Sequence, residues 1–233
     1  LRSSLRPSSH VLLQLCAAAT APPRVDGGSI GVPRSLSDAN DESVAAARRA
    51  VAHVLEACAA GARLQTPAVG ALLHACLMAG DANTAVRVYS DHLEASAAAL
   101  NTGIVGNGGG GGSWRRRQMG SGEREAQGML ATTLACCAGA GDADAASRVV
   151  EIARAHGVTV GADANNALVN ALSRGARREE ATARARRVLA EEAEERSSGF
   201  QPHADVVAVN TALHALSRGP RPLEAADTFL ALL

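Results

Sequence analysis

Two decapeptides, NALVNALSRG beginning at Asn166 and NTALHALSRG beginning at Asn210, stand 44 residues apart and share their register from first residue to last. A repeat of this kind constrains the fold more than any other feature of the chain, because each copy must solve the same packing problem. In the second copy Val206, Val209, Leu213 and Leu216 recur at steps of three and four, which superpose on one face of an α-helix. Arg218, Gly219 and Pro220 then break the pattern, and Ala225, Phe229 and Leu232 form a second stripe. The spacing therefore predicts a helix, a tight turn and a second helix. Such a hairpin has more apolar surface than it can bury alone, so it needs neighbours of the same kind.

Upstream the arrangement recurs. The segment from Gln127 to Gly161 is 35 residues long. Its first helix ends at Gly139-Ala140-Gly141, Asp142 is placed to cap the second helix, Ala146 and Val150 face inward, and Gly157 closes that second helix. An earlier copy begins at Thr66, where Gly80, Ala85 and Tyr89 each precede Gly141, Ala146 and Val150 by 61 residues. The small alanines Ala85, Ala146, Ala181 and Ala225 are thus separated by 61, 35 and 44 residues, so the base unit is 35 residues and two connections carry insertions.

These landmarks divide the chain into a disordered or transit-like lead-in over 1–40, a helical stretch over 41–65 that reads as a degenerate repeat, and repeats over 66–100, 127–161, 162–205 and 206–233. The last of these is truncated. The glycine- and arginine-rich insertion over 101–126 lacks apolar periodicity and is expected to be a flexible, disordered loop. In the degenerate repeat, DESVAAARRAVAHVLEACAAG from Asp41 is an amphipathic second helix. Its partner would be SSHVLLQLCAAAT, separated from it by the Gly/Pro-rich APPRVDGGSIGVPRS. The insertion in the 162–205 unit lengthens its second helix, with Arg and Glu interleaved along a solvated face.

Composition supports helices and excludes several chemistries. Hydrophobic residues make up 47% of the chain but aromatic ones only 2%, so most apolar content is alanine, a strong helix former that lets helices approach closely. The 23 acidic residues balance 23 basic ones, all of them arginine, which leaves no general cationic field for nucleic acid. No apolar run reaches the roughly 18 residues that span a bilayer, so no membrane partner is expected. Cys16, Cys58, Cys76, Cys136 and Cys137 lack the paired spacing of a zinc site or a disulfide framework and read as small core residues; no metal or cofactor is expected. The glycine run at 108–112 has neither the preceding strand nor the Gly-Lys-Ser/Thr ending of a phosphate loop. Trp114 with Arg115, Arg116 and Arg117 offers stacking and charge for a single strand, although a solvated linker cluster has the same composition. His74 and His214 share a register, and no acidic or second histidine partner lies at ligand spacing, which points to packing or solvent exposure. The first residues are rich in arginine and serine with no acidic residue before Asp26, a composition that suits an organellar transit peptide.

A 35-residue helical hairpin with Asn early in its first helix, Gly at the turn, Ala in the second helix and Asp just before the next copy resembles the pentatricopeptide repeat (PPR) family. DVVAVNTALHAL and NNALVNALSRG carry the resemblance most specifically, and it extends over about Thr66 to Leu233. It implies an all-α fold, an α-solenoid of stacked helix-turn-helix repeats wound into a right-handed superhelix. It also implies binding of single-stranded RNA in organellar RNA processing, stability or translation, in a chloroplast or mitochondrion and without enzymatic chemistry. In that family one base is read per repeat, by a polar residue on the first helix together with the last residue of the unit. Carried onto this chain, Asn166 with Asp205 forms a complete pair, which in the family favours a pyrimidine, and Asn210 is a first selector without its partner. Ala131 with Gly161, and Gly70, occupy the same register and have no group to read a base edge. Asn166 and Asn210 have another role open to them, satisfying backbone donors at a helix N-terminus, and Asp205 could serve as an N-cap. Two other functions use the same architecture: a protein-binding scaffold, and the substrate-binding region of a larger nuclease, as in the pentatricopeptide region of protein-only ribonuclease P.

Overall fold

A computed structural model describes residues 8–20, 36–101, 113–197 and 206–232 of the chain. Among these residues the fold is all-α. Helices α1 (Ser9–Thr20), α2 (Leu36–Ala59), α3 (Thr66–Ala79) and α4 (Ala82–Asn101) are followed by α5 (Ser113–Ala140), α6 (Ala143–Ala155), α7 (Ala162–Arg174), α8 (Arg178–Ser197), α9 (Val206–Ser217) and α10 (Leu223–Leu232). The chain divides into two compact units, Leu1–Ala98 and Ala99–Leu233.

The turns explain why the helices stop where they do. Gly80 and Gly141 both adopt a left-handed conformation, with φ of 70° and 69°. At each, the next residue's amide reaches back to the helix it has just left: Asp81 N–H donates to Cys76 O and Asp142 N–H to Cys137 O, both at 3.0 Å. Those amides belong to the residues that cap the following helix. Asp81 Oδ1 accepts from Thr84 N–H at 3.0 Å, and Asp142 Oδ1 accepts from Ala145 N–H at 2.8 Å. A Gly-Asp pair thus ends one helix and starts the next with almost no intervening chain, and it does so identically 61 residues apart. Gly157, with φ of 73°, closes α6 as the sequence predicts, its neighbour Val158 N–H bonding to Ala153 O at 2.9 Å.

Packing follows a regular scheme in each unit. In the first, α1, α2 and α3 pack against one another. In the second, α5 pairs with α6, α7 with α8 and α9 with α10; α5 also packs on α7 and α7 on α9, while α6 covers α7 and α8 covers α9. Within the second unit the α5–α6 hairpin is therefore covered by α7 and the α7–α8 hairpin by α9.

Alanine makes the approach close. Ala85, Ala146 and Ala181 are fully buried and Ala225 is half-buried, as expected for small helix-packing positions. On the first helices, four rows of equivalent positions are buried throughout: Ala68, Met129, Ala164 and Ala208; Leu72, Thr133, Leu168 and Ala212; Ala75, Cys136, Ala171 and Ala215; and Cys76, Cys137, Leu172 and Leu216. The 61-, 35- and 44-residue spacings relate every row.

Three sequence expectations meet a different structure. On α9 the buried face is Ala208, Ala212, Ala215 and Leu216, whereas Val206 is exposed and Val209 and Leu213 are half-buried. In an alanine-rich helix several faces are apolar, and the closest approach to α7 and α8 selects the smallest side chains, which leaves the valines at the margin. Helix α5 begins at Ser113, inside the stretch expected to be loop, so the backbone of Trp114 to Arg117 is helical; the glycine run at 108–112 lies outside the described residues. The lead-in also contains structure: α1 buries Leu12 and Cys16, and α2 starts at Leu36 rather than Asp41.

Candidate nucleic-acid interface

The residues placed as base selectors are Gly70 on α3, Ala131 on α5, Asn166 on α7 and Asn210 on α9. All four hold the same position relative to the buried rows, two residues after the first row and two before the second. In the second unit α5, α7 and α9 are packed neighbours, so Ala131, Asn166 and Asn210 occupy equivalent points on successive adjoining helices. Ala131 and Asn166 are half-buried and Asn210 is exposed.

Neither asparagine caps a helix. The N-cap of α7 is Gly161, whose extended backbone (φ −73°, ψ 177°) offers its carbonyl to Asn165 N–H at 2.9 Å. Asn166 is five residues further on, in the second turn, where backbone amides already have partners within the helix. Asn210 lies equally far into α9. The Nδ2 of Asn166 is buried and has no hydrogen-bond partner. A buried donor left unpaired costs about 1–3 kcal/mol, which an apolar residue here would avoid.

The other half of the expected reading pair is less complete. Asp205 lies outside the described residues. Gly161 has no side chain, and a Cβ there would meet Gln127 Oε1 at 3.6 Å. Gln127 itself is tied down: its Nε2 donates to Thr159 Oγ1 at 2.6 Å, and that hydroxyl donates to Glu123 Oε1 at 2.8 Å. A polar chain from α5 to the segment before α7 thus runs beside Gly161, at ordinary contact distance from where a Cβ would stand. Around Gly70 a Cβ would meet open space, so nothing in the packing demands glycine there.

One turn after the selectors lies a second row, Ala135 on α5, Asn170 on α7 and His214 on α9, with His74 in the same register on α3. Asn170 is half-buried, and His74 and His214 are exposed, the second of the two roles, packing or solvent exposure, expected of the histidines. The face carries few charges. Asp163 is exposed at the start of α7, and Arg174 and Arg218 are exposed near the ends of α7 and α9. Among the described residues no group of three or more His, Cys, Asp or Glu side chains is placed to hold a metal ion, and no helix is long and apolar enough to cross a membrane.

The sequence names SSHVLLQLCAAAT as the first helix of a degenerate repeat, and α1 lies in that segment; its register is what sequence reasoning did not assign. Leu12 and Cys16 on α1 are buried at the same four-residue spacing as Leu72 and Cys76, and as Thr133 and Cys137. That register puts His10 at the selector position and Gln14 one turn later; their side chains bond to each other through Nε2 atoms 3.0 Å apart. The signal was present as LLQLC beside LLHAC, 60 residues apart.

Neither a scan against protein-family models nor a search of the curated proteins finds a match to this chain.

Proposed function

We propose that the chain is a pentatricopeptide-like α-solenoid, a right-handed stack of helical hairpins, whose first helices bind single-stranded RNA without chemistry of their own. Organellar RNA processing is the setting that the resemblance suggests. The observation that carries the reading is Asn166: a half-buried amide in a helix interior, with an unpartnered Nδ2, repeated as Asn210 at the equivalent point of the adjoining helix. A half-buried amide whose donor the fold leaves unpaired is explained by a ligand toward which the side chain turns to pair. The carbonyl and imino groups of a pyrimidine edge are a chemical match, each amide offering one acceptor and two donors.

The test is a binding titration of the full chain against oligouridine, oligocytidine and oligoadenosine at two salt concentrations. Oligouridine is expected to bind best, with a shallow salt dependence because Arg174 and Arg218 lie at the ends of α7 and α9 rather than beside Asn166 and Asn210. Asn166→Ala and Asp205→Ala should each weaken the uridine preference. Binding indifferent to both substitutions would overturn the reading.

A second reading, a protein-binding scaffold, is favoured by the last hairpin. Val206 and Val207 on α9 and Leu223 and Leu230 on α10 are 66%, 63%, 80% and 68% exposed. The preceding hairpin has Ala162, Asp163, Glu179 and Arg186 in the same register. Wild-type protein that binds none of the three oligonucleotides would leave this reading standing in place of the first.

A further inference from the structure

Resting on the RNA-binding reading, we infer that the row one turn after the selectors recognises ribose 2′-hydroxyls, so that Asn170 and His214 select RNA over DNA while Asn166 and Asn210 read the base. Four residues along a helix return a side chain to the same face, about 6 Å further along the axis. Asn170 therefore stands beside Asn166 on α7, and His214 beside Asn210 on α9. The two helices are packed together, so the pairs form two parallel rows. His74 and Gln14 hold the same register in the first unit. Only α5, with Ala135, lacks a polar group in this row.

The chemistry of the row selects the part of the nucleotide it fits. A phosphate is acceptor-only and anionic: neutral amides can contact it, but its strong partners are the charge-assisted donors of arginine and lysine. None of Gln14, His74, Asn170 and His214 is a fixed cation, although the chain has arginine in abundance and places Arg174 and Arg218 nearby at the helix ends. Amide and imidazole groups each combine donor and acceptor. A 2′-hydroxyl does the same, and it is the group by which a protein tells RNA from DNA. His214 is exposed and Asn170 half-buried, so both can reach a strand lying along the face.

Fluorescence anisotropy with oligouridine and oligodeoxyuridine of equal length tests this, since the two differ only in the 2′-hydroxyl. Wild-type protein is expected to prefer the ribose strand by about three- to tenfold for each hydrogen bond made. Asn170→Ala and His214→Ala should each weaken oligouridine binding and move that ratio toward one, while the preference for uridine over adenosine is kept. His214→Gln, which retains a donor and an acceptor, should restore part of the ratio, and Asn166→Ala should change base preference with the ratio intact. Equal wild-type affinity for the two strands, or a ratio unmoved by Asn170→Ala and His214→Ala, overturns the inference alone. Absence of binding to either strand overturns it together with the base-reading proposal.

Discussion

Gly175 is pressed against Ala143. A Cβ built on Gly175 would come within 2.7 Å of the Ala143 methyl carbon and 2.9 Å of Gly141 O, although its own backbone, at φ −84°, suits any residue. The turn between α7 and α8 thus rests directly on the turn between α5 and α6, and glycine is required by space rather than by conformation. Gly80 is the converse, with φ of 70° and open space around it. Gly175→Ala should destabilise by about 1–3 kcal/mol through overpacking, and Gly80→Ala by about 1–2 kcal/mol through left-handed strain. Thermal denaturation followed by circular dichroism reads both. A Gly175→Ala protein that melts with wild type would mean the two turns are not in contact.

The Gly-Asp turn gives a sharper comparison. Asp142 accepts from Ala145 N–H, and Asp81 makes the same bond to Thr84 N–H. Asp142→Ala removes the cap and should cost about 1 kcal/mol, whereas Asp142→Asn keeps a side-chain oxygen in place and should cost far less. In a protein of this size about 1 kcal/mol corresponds to roughly 2–4 °C in Tm. Equal melting of the two variants would show that the bond contributes nothing.

Much of this was legible in the chain, and the reason is the repeat. Gly80, Gly141 and Gly157 and the cap Asp142 act within a few residues, so spacing alone places them. The rotation of α9 was not legible, because Val206, Ala208, Val209 and Ala212 are all apolar and only packing against α7 and α8 decides which are buried. Nor was the space restriction at Gly175, which comes from residues more than 30 positions away. The equivalence of Asn166 and Asn210 could be read from the decapeptides, but the unpartnered Nδ2 of Asn166 needed the surrounding side chains.

Tyr89 is the only tyrosine of the chain, and its hydroxyl is buried without a hydrogen-bond partner. Burial disfavours the phenolate and pushes its pKa up to about 12 from 10.0. The folded state then holds its proton to higher pH than the unfolded state does. Stability from this group is fully present below about pH 10, and is lost as the pH rises toward the folded value. Absorbance near 295 nm reports one residue only, so the native protein should show phenolate late and the denatured protein at the ordinary tyrosine pKa. Coincident titrations would place Tyr89 in contact with water.

The cysteines should separate by burial. Cys16, Cys76 and Cys137 hold one register and are buried, whereas Cys58 on α2 is half-buried. Desolvation raises all the shifted thiols, Cys137 up to about 12 with the neighbouring Cys136 and Asp142 adding to the effect, and Cys16 to about 11. Because the thiolate is the reactive form, native protein treated with iodoacetamide near pH 8 should be labelled first at Cys58, and at Cys137 only after unfolding. Mass spectrometry of the digested protein gives the order, and early labelling of Cys137 would mean that the interior of the α5–α6 hairpin opens readily.

Asn166 allows the cost of an unpartnered donor to be measured. Replacing it by alanine removes a few packing contacts but also removes a buried Nδ2 that has no partner, and the two effects oppose each other. Asn166→Ala should therefore melt within a few degrees of wild type, unlike a core truncation such as Leu168→Ala two residues away, which should cost about 2–5 kcal/mol. The same alanine variant should lose most of the uridine preference. That combination, near-native stability with altered binding, distinguishes a residue kept for a ligand from one kept for the fold. A large fall in Tm for Asn166→Ala would assign the amide a structural bond instead.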